Sequence, residues 1–196
     1  MGENGKWSSI DFHLQQLARD RRTVKLIVLL GALLLAVTIF ALPRLLWGSA
    51  TQAIVKIDTS AAEPREVEDS TAQAVQRDYS QAWAAMARAM DQNNASLLDA
   101  NFAGTAREKL GRALNAQEVN GLHRRIIDHG HSVRVTFYSL DGSAMQVEDT
   151  AQLETEYYDG GKLLKSEQGT HHFLAVLTPA ENTWRVRILE AIPIFQ

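Results

Sequence analysis

Residues 26 to 43, LIVLLGALLLAVTIFALP, contain no charged side chain. As a helix rising about 1.5 Å per residue they span roughly 27 Å, the thickness of a bilayer's hydrocarbon core. The pattern predicts a transmembrane helix over 26–47, with Lys25 and Arg44 free to snorkel and Trp47 at the interface. In the preceding tail, 1–25, Trp7, Ile10, Leu14 and Leu17 share one helical stripe, and Ser8 with Asp11 resembles a capping box. That tail reads either as a short amphipathic helix or as a segment that only sets orientation. Small residues at Gly48-Ser49-Ala50 allow cleavage, but the apolar run exceeds a typical signal-peptide core, so an uncleaved anchor is expected. The stretch 48–66, rich in Ser, Thr and Ala and containing Pro64, reads as a tether.

Beyond it, 67–196 carries the pattern of a folded domain. Val75, Tyr79, Trp83, Met86 and Met90 recur every three or four residues and predict one long amphipathic helix ending at Asp91-Gln92-Asn93-Asn94. Ser96 is expected to cap a short helix reaching Phe102. Thr105 and Glu108 suggest a capping box opening a third helix, carrying Leu110 and Leu114 and, past a break near Gly121, Leu122 and Ile126. The period becomes two after Gly130. Val133, Val135 and Phe137 alternate with polar neighbours, as do Ala151, Leu153, Thr155 and Tyr157, and then Trp184, Val186 and Ile188. Phe173 to Leu177 is apolar on both faces and suits a central strand. Met145 to Glu148 fits either the end of the first strand or the start of the second. Helices followed by strands predict an α+β domain, three helices packed on a curved antiparallel sheet of three or four strands.

Charge sets the orientation. Residues 1–44 hold six Lys/Arg against three Asp/Glu, a net +3, and residues 45–196 hold fourteen against twenty, a net −6. Arg19, Arg21, Arg22 and Lys25 crowd the N-terminal flank, so the N-terminus is expected in the cytoplasm and the domain outside it, on the cell's inner (plasma) membrane. The acidic domain disfavours nucleic acid as a partner. The chain has no cysteine, which removes disulfides, thiol nucleophiles and cysteine-ligated metals.

The stretch AVQRDYSQAWAAMARAMDQNNASLLDANFAGTAREKL, with the later DTAQLETEYYDGG, HHFLAVLT and NTWRVRILE, resembles the nuclear-transport-factor-2-like superfamily of cone-shaped domains. The layout is most similar to the intermembrane-space domains of chloroplast division proteins. With a membrane helix ahead of it, the chain also resembles inner-membrane components of type IV secretion systems. The resemblance implies a bent sheet wrapped round helices, and it implies a pocket or a docking face without fixing one activity.

Within that frame Tyr79, Asp149, Tyr157 and His172 are the polar groups expected near a pocket rim, where a carboxylate or imidazole with a tuned pKa can move protons. Trp83 and Trp184 can stack a ligand but sit at core spacing, and Trp184 is expected to pack near Trp83 or Met86. His129, His131, His171 and His172 do not match a metal-ligand spacing and read as exposed turn residues. No phosphate loop or nucleophile elbow occurs, so neither metal, cofactor nor catalytic residue is expected. Two functions remain open. One is a non-enzymatic domain that binds protein partners in an envelope assembly, with self-association undecided. The other is a tethered ligand-binding or isomerase/dehydratase-like cone.

Overall fold

The structure, a computed structural model, describes residues 54–193. The element order is β1 (Val55–Asp58), β2 (Glu63–Pro64), α1 (Asp69–Gln92), a 3-10 turn (Ala95–Leu98), α2 (Gly104–Val119), β3 (Leu122–Tyr138), β4 (Met145–Asp159), β5 (Lys162–Ala180) and β6 (Thr183–Ile192). The sheet runs β1-β3-β4-β5-β6, with β2 also on β3. The four long strands pair antiparallel, whereas β1 and β2 join β3 in parallel. The class is α+β as expected. The sheet is mixed rather than purely antiparallel, and two α-helices with one 3-10 turn replace the three helices.

Single unpaired residues bend the long strands. The ladder skips His129 and Thr136 on β3, Leu164 on β5 and Arg187 on β6. A bulge bends its strand and shifts which side chains face the core. Two period-two readings fail for this reason. Past Thr136, Tyr138 takes the buried position and Phe137 is exposed. Past Arg187, Leu189 packs on the core in place of Ile188.

The helix α1 forms where its stripe predicted, and Val75, Tyr79, Trp83, Met86 and Met90 are all buried. It ends at Asn93, whose own N–H meets the Ala89 carbonyl and whose left-handed φ of 46° brings the following Asn94 N–H to the same carbonyl. The cap of the next turn is Asn94, not Ser96, because the Asn94 side chain accepts the Ser96 N–H. The Thr105–Glu108 box does not form. Ala103 is the N-cap without a side-chain bond, and Thr105 Oγ1 donates to the Arg187 carbonyl on β6. The helix α2 stops at Val119, and Leu122 and Ile126, read as its continuation, lie in β3.

Part of the stretch read as a tether is sheet. Val55 is buried, Val55–Asp58 pairs with His131–Arg134, and Ile57 packs on the core. The opposite edge is closed by other means. Val186 exchanges bonds with the Asn101 carbonyl and the Ala103 N–H, and Trp184 N–H is taken by a side chain of α1. No described helix is long and apolar enough to cross a membrane. The expected tail 1–25 and membrane helix 26–47 lie outside the described residues.

Candidate functional site

Along β4 every second residue from Met145 to Leu153 is buried, so the strand's inner face reads Met145, Val147, Asp149, Ala151, Leu153. Asp149 is therefore a carboxylate in the middle of a central strand, between Val133 of β3 and Phe173 of β5. Its Oδ2 accepts two bonds, from the Tyr79 hydroxyl on α1 at 2.8 Å and from His131 Nδ1 on β3 at 2.8 Å. The other ring nitrogen, His131 Nε2, is 2.8 Å from Asp128 Oδ2. The His129 bulge turns Asp128 and His131, three residues apart, toward each other.

The protonation state follows from the partners. Ionised carboxylates only accept, so both imidazole nitrogens must donate, and His131 is an imidazolium. Burial by itself would push its pKa down, but hydrogen bonds and charge from Asp128 and Asp149 outweigh that and raise it to about 9. Burial, reinforced by the Asp149 charge, holds the Tyr79 hydroxyl well above its usual range. The Trp83 indole lies over the imidazole with ring centres 4.4 Å apart and meets Phe173 at 5.1 Å, edge to face. One polar atom of the cluster, Asp149 Oδ1, is buried without a partner.

Chemically this arrangement holds a proton rather than passing one. His131 cannot act as a base while both nitrogens carry hydrogen, and its side chain is shielded from solvent. What it does is join three elements, α1 through Tyr79, β3 through His131 and β4 through Asp149, with charge-assisted bonds. A second buried carboxylate repeats the device. Asp78 Oδ2 accepts the Trp184 N–H at 2.7 Å and Oδ1 the Arg77 side chain at 2.9 Å, fastening α1 to β6. Gln117 Nε2 donates to the Met90 carbonyl at 2.9 Å and ties α2 to the last turn of α1.

Of the expected site residues, Tyr79, Trp83 and Asp149 come together here. Tyr157 lies two positions beyond Thr155 on the same face of β4, opposite Arg124 and Lys165 and away from the cluster. His172 points to the outer face, 3.2 Å from Thr150 Oγ1. Trp184 lies in the core with α1, bonded through its backbone N–H to Asp78, and its ring meets Tyr138, ring centres 6.3 Å apart. The reading of His131 as an exposed turn residue is corrected, because it is a core residue. Its parity with Val133 and Val135 carried that information. Asp128 gave no such signal, since the bulge reverses its side. Among the described residues no group of three or more metal-ligating side chains is placed to hold an ion.

No protein-family model and no curated protein matches this sequence. Solved structures do. The intermembrane-space region of the chloroplast protein ARC6 is 17% identical and superposes with a TM-score of 0.55, covering 66% of this chain and 98% of that one. A putative dehydratase of the NTF2-like family from Streptomyces avermitilis is 13% identical over 63% of this chain and 99% of its own, at 0.45. ActVI-ORFA from Streptomyces coelicolor is 12% identical over 60% and 97%, at 0.41. The bent sheet closed over two helices, and its likeness to the ARC6 region, give this chain the nuclear-transport-factor-2-like cone fold that its sequence resembles.

Proposed function

We propose that this chain is a single-pass membrane protein, N-terminus in the cytoplasm, whose cone domain lies outside the cytoplasm and binds protein partners in an envelope assembly of the secretion or division kind. The observation that carries the non-enzymatic part is the state of His131. The buried acid–base groups of this cluster, Tyr79, His131 and Asp149, are engaged in holding α1 to the sheet, with both imidazole nitrogens bound to carboxylates. The anchor rests on the uncharged run 26–43 and its cationic N-flank.

The test uses the full chain in its native host. Photo-crosslinkers at the exposed outer-face positions Gln152 and Thr170 are activated in cells, membranes are isolated, and adducts are identified by mass spectrometry. The expected result is membrane-bound chain carrying discrete protein adducts at both positions. Chain recovered in the soluble fraction refutes the anchor, and membrane-bound chain without adducts refutes the partner-binding role.

A second reading, a ligand-binding or isomerase-like cone, is favoured by one atom, the buried and unpartnered Asp149 Oδ1. A small molecule that raises the melting temperature of the parent but not of Asp149→Asn would establish it.

A further inference from the structure

The ends of the helices reach the start of β3, through Asp91 beside His123 and Gln117 beside Arg124, whereas the β5 half of the β4–β5 hairpin, 162–168, is exposed throughout. The far ends of β3, β4 and β5 meet where Leu122 pairs with Asp159 and Asp159 with Lys162, and Gly160-Gly161 makes the turn between β4 and β5. This tip is apolar and bare. Leu122, Leu163 and Leu164 are 39%, 47% and 54% exposed, and Val119, at the end of α2 just before the tip, is 76% exposed. The bulge at Leu164 contributes, because an unpaired residue beside Leu163 presents two successive leucines at the tip. A core-forming sequence has no need of four such side chains at one end, and exposed apolar patches mark contact surfaces.

We infer that this tip enters the lipid surface to which the chain is anchored, an inference that rests on the membrane reading above. The direction and length of the chain argue for that occupant. β1 runs parallel to β3, with the Ile54 carbonyl accepting the His131 N–H, so β1 travels away from the tip. The N-terminal end of β1, at Ile54 and Val55, is therefore its end nearer the tip. Only six residues lie between Trp47 and Ile54, and the seven steps along the chain, at about 3.3–3.6 Å each, reach no more than roughly 25 Å. From Gly130, beside Ile54, back to Leu122 is seven ladder steps, since the bulged His129 adds none, or about 23 Å of strand. The arm is therefore nearly as long as the longest reach of the connection. Leu122, Leu163 and Leu164 stand at the level of the interface, and aliphatic side chains are stabilised there. Charge plays little part. Around the leucines Lys162 faces Asp159, Lys165 pairs with Glu167 and Arg125 with Glu156, so most of the nearby charge is balanced and the contact is apolar and little changed by anionic lipid.

The absence of cysteine makes the test direct. The full chain carrying Leu163→Cys, and separately Ser143→Cys in the turn at the opposite end of β4, is labelled with an environment-sensitive fluorophore and placed in phosphatidylcholine nanodiscs. Shallow doxyl-labelled lipid is the quencher. The expected result is at least twofold stronger quenching at position 163 than at 143, little changed when about a third of the lipid is phosphatidylglycerol. Equal quenching at the two positions, or stronger quenching at 143, in chain that co-elutes with nanodiscs overturns the tip contact and leaves the anchor standing. Quenching that appears only with phosphatidylglycerol overturns the apolar contact in favour of an electrostatic one. Quenching at 163 abolished by adding a purified protein partner shows the tip to be a protein-docking surface and likewise overturns the proposal. Chain that elutes apart from the nanodiscs overturns the membrane reading itself, and the tip contact with it.

Discussion

The imidazolium between Asp128 and Asp149 makes the domain's stability depend on pH in a direction opposite to that of a buried neutral histidine. In the unfolded chain His131 titrates near 6.5, and in the fold near 9. Below pH 6.5 it is protonated in both states and its stabilisation is complete. Between 6.5 and 9 the unfolded state sheds its proton first, so stability falls as pH rises, and above 9 the contribution is gone. Each pH unit in that window removes about 1.4 kcal/mol, which over the whole window comes to about 3 kcal/mol. That is a large part of the ~5–15 kcal/mol that stabilises an ordinary domain. Tyr79, the other titratable group on Asp149, keeps its proton throughout, since its pKa is raised. The assay is urea denaturation followed by tryptophan fluorescence at pH 6, 7.5 and 9.5, for the parent and for His131→Gln. The parent should lose about 3 kcal/mol across the series. The variant should start lower, because two carboxylates are left without their cation, a loss of about 3–5 kcal/mol, and its profile should be flatter. If His131→Gln does not fold, Asp128→Asn, which removes one of the two carboxylates, should fold and show a shallower slope than the parent. A parent profile that is flat from pH 6.5 to 9, or a slope that survives in His131→Gln, refutes the imidazolium assignment.

Other consequences follow from the packing. Tyr79→Phe removes one donor from Asp149 and should cost about 1–3 kcal/mol in the same denaturation assay. Asp78→Ala leaves the Trp184 N–H buried and unpaired and should cost a similar ~1–3 kcal/mol, whereas Asp78→Asn, which retains an acceptor, should cost less. A chain shortened to begin at Glu66 loses β1, with Val55 and Ile57, and should be less stable than one beginning at Thr51 by about 2–5 kcal/mol, read from urea midpoints at constant slope. Trp184→Ala should cost about 3–5 kcal/mol, and Arg134→Ala, which breaks an exposed pair with Glu148, less than about 1 kcal/mol.

Periodicity along the chain determined the parts of this protein that depend on local pattern. The stripe from Val75 to Met90 specified α1, and the alternation through Leu153 specified β4, because a helix or strand with one buried face must repeat its apolar residues at the period of its geometry. Tyr79 and Trp83 were legible for the same reason, as aromatic residues on the buried stripe of α1, whereas Asp149 stood out as a polar group expected near a pocket rim and its place in the core came from the fold. What tertiary structure alone decided depends on contacts between distant segments. β1 is four residues of ordinary composition and becomes a strand only because β3 offers it an edge. Leu122 and Ile126 continue a helical spacing and yet are strand, since pairing with β4 outweighs a weak local preference. Bulges at Thr136 and Arg187 shifted the inward face by one residue, a change that period-two reading cannot register. His131 was half visible, as its parity pointed inward while its chemistry suggested solvent. Only the fold brought Asp128 and Asp149 to its two nitrogens, and with them the charge that lets an imidazolium sit in a core.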